Sequence, residues 1–224
     1  MSTGLPDTLS LMLAIAGAFV AGFTSGFAGF GTGLVASGIW FHALPAPMVP
    51  PLVAISSTAS QLLGLLAVRG AFAWGRAAPY LIGGIVGVPF GVMALRHVSP
   101  DLLRLTVGVF LVGYALFQLT GLARLSVRAW GGRAADGVIG AGGGVLGGLA
   151  GLSGVLPLVW LQLRGGQSDG QSDRQRAVYQ PFNLIVLAIA GIGMTISGQI
   201  DRQVMTVAAY CLPATLAGAW IGVR

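Results

Sequence analysis

The sequence predicts an all-α fold: a polytopic transmembrane helical bundle built from two inverted repeats, each starting with a glycine-broken helix. Three observations carry that prediction. The 224 residues are 55% hydrophobic and 8% charged, with a mean hydropathy of +0.85, a balance that a water-soluble domain does not carry. The few charges leave uncharged runs about as long as the roughly 20 residues that span a bilayer core. Two glycine clusters, at residues 22–33 and 140–154, fall inside the two runs whose lengths do not suit a single span.

The opening segment, MSTGLPDTLS, holds Asp7 and no arginine. The positive start of a secretory signal peptide is missing, so the first apolar run is expected to stay in the mature protein. Residues 8–68 then carry no fixed charge, which is room for three passes. Their glycine cluster, GFTSGFAGFGTG, should break the helix, since each interior glycine costs about 1 kcal/mol relative to alanine. Non-helical backbone at membrane depth requires surrounding protein or a water-filled cavity. The competing reading is tight packing of helices through small residues.

Residues 77–95 and 105–123 each fit one crossing. Residues 137–163 are too long for one helix and short for two, and they contain the second cluster, GAGGGVLGGLAGLSG. Residues 177–200 and 203–223 supply two further crossings.

The clusters align. Gly26, Ala28, Gly29 and Phe30 correspond to Gly148, Ala150, Gly151 and Leu152, and the stretch from Gly70 to Arg96 equals that from Gly198 to Arg224 in length. The chain therefore divides into a first transmembrane repeat (1–123), an arginine-rich cytoplasmic linker (124–136) and a second repeat (137–224) without a counterpart of the helix at 105–123. The natural chain is accordingly expected to continue past Arg224.

If each broken segment were one crossing, the arginines would divide evenly between the two sides. If each dips in and returns, or crosses twice, nine arginines (Arg69, Arg76, Arg124, Arg128, Arg133, Arg164, Arg174, Arg176, Arg224) share one face and three (Arg96, Arg104, Arg202) the other. The preference of arginine for cytoplasmic loops favours the second arrangement, which inverts one repeat against the other, as in many secondary transporters.

All twelve basic residues are arginine and all six acids aspartate. The arginines are scattered between apolar runs rather than gathered on one basic face, so nucleic acid is not expected as a partner. The lone Cys211 makes neither a disulfide nor a thiolate cluster, and no cofactor or metal is expected. All six aspartates fall in stretches read as loops or tails, and His42 is read as an interfacial side chain in solvent, so no group for proton coupling stands out inside the membrane.

Without a charge in any span, an anion would have to be held by helix amino termini, which offer free N–H donors and about half a positive charge. In the first repeat the candidate donors are Thr24, Ser25 and Thr32 beside the backbone of Gly29, Phe30, Gly31 and Gly33. In the second they are Ser153 and the backbone of Gly151 and Gly154. The following helices add Ser57, Thr58 and Gln61 from ISSTASQ, and Gln180 and Asn183 from YQPFN. Serine and threonine can instead bond back to their own helix, whereas the amides are costly at membrane depth unless they face protein or water.

Two catalytic look-alikes fail on context. Residues 151–154 fit the G-x-S-G of intramembrane serine proteases, but His42 and His97 both precede Ser153, where a base on a later helix is needed. Gly142, Gly144 and Gly147 satisfy G-x-G-x-x-G without a soluble βαβ unit around them.

The first cluster, the ISSTAS helix, the arginine-rich centre and the second cluster GGVLGGLAGLSG with its proline-containing helix together resemble the TauE/SafE family of membrane permeases over nearly the whole chain. The resemblance implies a multi-pass transporter of the bacterial inner membrane for sulfite, a sulfonate or a related sulfur oxyanion, with substrate near the paired glycine motifs. The sequence departs from the pattern in its missing final helix and in Pro181, Phe182 and Asn183, which stand where the first repeat has small hydroxyl residues. The expected partners are a small anion and the lipid bilayer, with a homo-oligomer allowed. An anion channel of the same shape and a non-transporting membrane subunit are the other readings. An intramembrane enzyme would need an acid, base or metal cluster that the spans do not show.

Overall fold

The computed structural model describes residues 6–67, 72–121, 131–165 and 171–224, and the described residues are helical without strands. The helices are α1 (Thr8–Ala28), α2 (Thr32–Ala43), α3 (Val49–Ala67, after a 3-10 turn at Ala46–Met48), α4 (Trp74–His97), α5 (Pro100–Leu119), α6 (Gly132–Ala150), α7 (Val155–Gly165), α8 (Gln171–Ile196) and α9 (Arg202–Val223). Five of them (α1, α4, α5, the 175–196 part of α8, and α9) are long and apolar enough to cross a membrane. The protein is therefore multi-pass. Large side chains such as Ile82, Phe90 and Met93 on α4, or Val109 and Leu116 on α5, are exposed, as lipid-facing groups are where the solvent is hydrocarbon.

Local chemistry sets the helix ends. Asp7, Ser99 and Asp201 cap α1, α5 and α9, each side-chain oxygen accepting a backbone N–H from Ser10, Leu102 and Val204. Burial is minimal at Asp7, and its bond with Ser10 holds the carboxyl below the usual carboxylate range. Helix α1 stops where Gly29 and Gly31 take φ of +80° and +102°, and α6 stops at Gly151 with φ +72°. Residues with a Cβ avoid that left-handed region.

Both short helices double back on their predecessors. The Trp40 indole N–H of α2 donates to the Ala14 carbonyl of α1 at 2.9 Å, and Arg164 at the end of α7 pairs with Asp136 near the start of α6. Helix α6 begins at Gly132, inside the stretch read as linker, so Asp136 is not in a loop: it is a buried helical residue. The sequence expectation that every aspartate lies in a loop or tail is corrected there, and also at Asp101 and Asp173, which lie within α5 and α8. Arg69, Arg124, Arg128 and the side chain of Arg174, all used in the orientation argument, lie outside the described residues.

The most extensive packing joins α1 to α9 and α4 to α6. In both crossings backbone meets backbone. A Cβ added to Gly22 or Gly26 would lie 2.1 or 2.2 Å from the carbonyl oxygens of Thr215 and Ala219, and one on Gly218 or Gly222 2.2 or 2.3 Å from those of Phe19 and Phe23. Likewise, Gly144 and Gly148 meet the carbonyls of Gly84 and Val88 at 2.1 and 2.6 Å, and Gly87 and Gly91 those of Ala141 and Val145, both at 2.1 Å. With little hydrophobic drive between helices in lipid, such close approach is what holds them. The crossings correspond residue by residue when Gly84, Gly87 and Gly91 are set against Thr215, Gly218 and Gly222. That register is three positions away from the equal-length match of Gly70 with Gly198, because the glycine ridge, not loop length, decides which turns meet.

The core has two centres, one around Trp40, Leu52, Val53 and Val207, the other around Tyr80, Val88, Phe182 and Val186. The glycine end of α6 lies between them, Gly151 against Val53 and Gly147 against Val186.

Candidate functional site

Gly33, in the first turn of α2, approaches Gly151 so closely that a Cβ on it would sit 2.8 Å from the Gly151 carbonyl oxygen. Around this contact is a small cavity of about 20 Å³, lined by Gly31, Thr32, Gly33, Ser57, Gly154 and Asn183, with Phe30, Leu34, Gly151, Leu152 and Val155 completing its wall. Ser57 sits near the middle of α3 and Asn183 near the middle of α8. A volume of that size holds about one water.

The donors are of two kinds. The first intrahelical bond of α2 runs from the Val35 N–H to the Gly31 carbonyl at 3.0 Å, and that of α7 from Leu158 to Gly154 at 3.0 Å. The N–H groups of Thr32, Gly33, Leu34, Val155 and Leu156 therefore have no helical acceptor, and no side chain caps α2. The second kind is hydroxyl and amide. The Ser57 hydroxyl oxygen is buried without a hydrogen-bond partner, a state that calls for an explanation in a native fold. The Ser153 hydroxyl donates to Asn183 Oδ1 at 2.5 Å, which fixes the amide so that its NH₂ end is the part left over for a ligand.

Several expected residues are engaged in other bonds or lie away from the cavity. The N–H groups of Gly29 and Gly151 donate to Ser25 and Gly147 at 2.8 and 3.0 Å, so these glycines supply the turn and not donors. Thr24 and Thr58 bond back to Val20 and Ala54 at 2.9 and 2.7 Å. Ser25 and Thr32 both reach the Ser60 hydroxyl, at 3.5 and 3.1 Å, tying α1 and α2 to α3 beside the cavity. Gln61 and Gln180 line a separate, largely apolar crevice with Trp74, Pro181 and Leu184, and the Gln61 amide donates to the Gly29 carbonyl at 3.5 Å.

Two groups escaped the sequence reading. Arg176 and Tyr179 of α8 donate to the carbonyls of Phe27 and Ala28 at 3.0 and 3.2 Å, satisfying the free carbonyl end of α1. An arginine just before an apolar run was the only available signal. The other is Asp136, whose Oδ1 accepts from Tyr80 and Trp160, both at 2.8 Å, and from Arg164. It borders a cavity of about 710 Å³ at one end of the bundle that also contains Arg76 and Arg133. These partners are far apart in sequence and meet only because α7 returns alongside α6.

Among the described residues no group of three or more histidine, cysteine or acidic side chains could hold a metal ion. Residues 14–224 match the family model described as sulfite exporter TauE/SafE. No curated protein and no solved structure matches the chain.

Proposed function

This chain belongs to the sulfite exporter TauE/SafE family, whose members are membrane transporters and not enzymes, and from that premise we propose that it carries a small sulfur oxyanion, sulfite or a sulfonate, through a site where α2 and α7 begin. The observation that carries this is the unpartnered, buried hydroxyl of Ser57 in the same cavity as two helix amino termini. A buried orphan hydroxyl beside free N–H groups is a donor set without an acceptor. An oxyanion is an acceptor without a proton to give, and helix amino termini suit it. Ser57, the Asn183 amide and the first N–H groups of α2 and α7 bind it, while Gly31, Gly33, Gly151 and Gly154 let backbone approach where a side chain would fill the space.

Two inverted repeats account for the packing. Exchanging α1 with α6 and α9 with α4 turns one crossing into the other, and the Trp40 and Trp160 indoles, one in each short helix, both reach back to the preceding long helix. Opposed repeats with interrupted helices at the midplane are a transporter design. Arg76, Arg133 and Arg164 border one cavity, and by the preference of arginine for the cytoplasm that end faces inward, in the inner membrane of a bacterium.

A space for one water is smaller than an anion of four or more heavy atoms, so binding needs the ends of α2 and α7 to part, as when one bundle of a carrier rocks against the other. Purified protein in liposomes, loaded with sulfite, sulfoacetate, sulfate and chloride in turn, tests the proposal. Saturable flux of the sulfur oxyanions with counterflow exchange is expected. Flux without counterflow would assign a channel, and no flux of any anion would leave a non-transporting membrane subunit.

A further inference from the structure

The cavity at the arginine end differs from the glycine site in being wide and charged. Three guanidinium groups, those of Arg76, Arg133 and Arg164, border it against one carboxylate, Asp136. That carboxylate is already engaged. Tyr80, Trp160 and Arg164 converge on its Oδ1, and the Arg164 guanidinium also lies over the Trp160 ring, 5.6 Å from its centroid. Arg133 makes one long bond, at 3.5 Å, to the Gly75 carbonyl. Among the described residues lining the cavity, positive charge is in excess of negative.

The position matters as much as the charge. Val178 of α8 borders this cavity and Asn183 the glycine site, five residues apart on one helix, which is about 7.5 Å of rise. Between the two lies Tyr80 packed edge-on against Phe182, ring centroids 6.5 Å apart and Phe182 fully buried. The corresponding place in the other half of the bundle is apolar: Trp40 donates to a backbone carbonyl there, and Ala14 and Cys211 are buried. At these matched positions the charged cluster of the vestibule has no counterpart.

We propose that this vestibule is a second oxyanion-binding site, a loading station in which Arg76, Arg133 and the outward N–H groups of Arg164 hold the anion before it reaches the glycine site. Asp136 keeps Arg164 in place and saturates part of its charge, so that the bound anion is shared among guanidinium groups rather than locked to one. The inference rests on the transport reading for its direction, though not for the binding itself. The ligand chemistry is a compact oxyanion, and two sources offer it: a free sulfur oxyanion or an anionic lipid headgroup.

Trp160 reports on the vestibule directly, since its indole bonds the Asp136 oxygen that Arg164 shares. Purified full-length chain in phosphatidylcholine vesicles is titrated with sulfite, and the part of the tryptophan fluorescence that disappears in Trp160→Phe is followed. A saturable change is expected, weakened about tenfold in Arg133→Gln or Arg76→Gln, as for loss of one hydrogen bond to a charged group, and recovered at least partly in Arg133→Lys. Ser57→Ala, in the glycine site, should leave it unaltered. Absence of a saturable change, equal weakening by Ser57→Ala and Arg133→Gln, or a change that appears only with phosphatidylglycerol in the vesicles would each overturn the proposal, the last by assigning the cavity to lipid. A normal Trp160 titration in protein that moves no anion would sink the transport reading and keep the vestibule. Normal flux with a titration indifferent to both arginine variants would do the reverse.

Discussion

Replacing Ser57 with alanine should make the protein more stable and worse at its task, and the two effects can be sized separately. The Ser57 oxygen is 1% exposed as a residue and has no hydrogen-bond partner. A buried, unsatisfied hydroxyl costs about 1–3 kcal/mol, and alanine removes that cost while leaving a void no larger than the lost oxygen. The anion-free variant should therefore unfold at higher temperature than wild type. Toward the anion the sign reverses, because a hydrogen bond to a charged group contributes about 1.5–3 kcal/mol, so the half-saturating sulfite concentration in counterflow should rise by about 10- to 150-fold. Ser56→Ala is the control: its hydroxyl is equally buried and unpartnered but does not border the glycine cavity, so stability should rise with affinity unchanged. A Ser57→Ala protein with wild-type half-saturation, or one that unfolds earlier, refutes the assignment of Ser57 as an anion ligand.

Gly151→Ala should abolish flux, since φ of +72° and a Cβ placed 2.4 Å from Val53 Cγ1 oppose the new side chain together. Adding Val53→Ala should remove the 2.4 Å contact with Cγ1 but leave the Val53 Cβ at 2.8 Å and the backbone strain of about 1–2 kcal/mol, so thermal unfolding of the double variant should fall between the single variant and wild type. Gly144→Ala drives a Cβ to 2.1 Å from the Gly84 carbonyl and should destabilise by about 1–3 kcal/mol or more, whereas Gly108→Ala, with nothing within 4 Å, should stabilise α5 by up to about 1 kcal/mol; unfolding in detergent separates them. Asp136→Ala leaves the Tyr80, Trp160 and Arg164 donors without their acceptor and should cost about 3 kcal/mol, somewhat less than a fully buried pair because Arg164 reaches water.

The all-helical, multi-pass architecture was legible because hydropathy alone decides it: a charge every few residues would have closed each span, and between Thr8 and Val68 there is none. The glycine clusters were legible as places where Cβ atoms are absent, and helices α1 and α6 end in them. Sequence reasoning could not separate a glycine that makes a turn from one that offers a donor. Gly29 and Gly151 give their N–H groups to the preceding helix, while Gly33, a few positions on, keeps its own free. It could not sort the amides either, since Asn183 and Gln180 lie three apart on α8 yet border different cavities. Asp136 was hidden by its neighbours: in GGRAADG it has the look of a polar linker, and only the return of α7 brings Arg164 and Trp160 to it.

The pairing of α1 with α9 also sets a timetable for assembly. Helix α1 leaves the ribosome first among the described helices, and its groove of small residues fits a partner that begins at Arg202. At about 5–20 residues per second, that partner follows on the order of ten seconds or more later. Until then the carbonyls of Phe19 and Phe23 face lipid or another neighbour, and the second crossing, α4 with α6, closes well before the first. A nascent chain arrested after α8 should thus hold the α4–α6 crossing docked and α1 without its partner, open to whatever quality control patrols the bilayer.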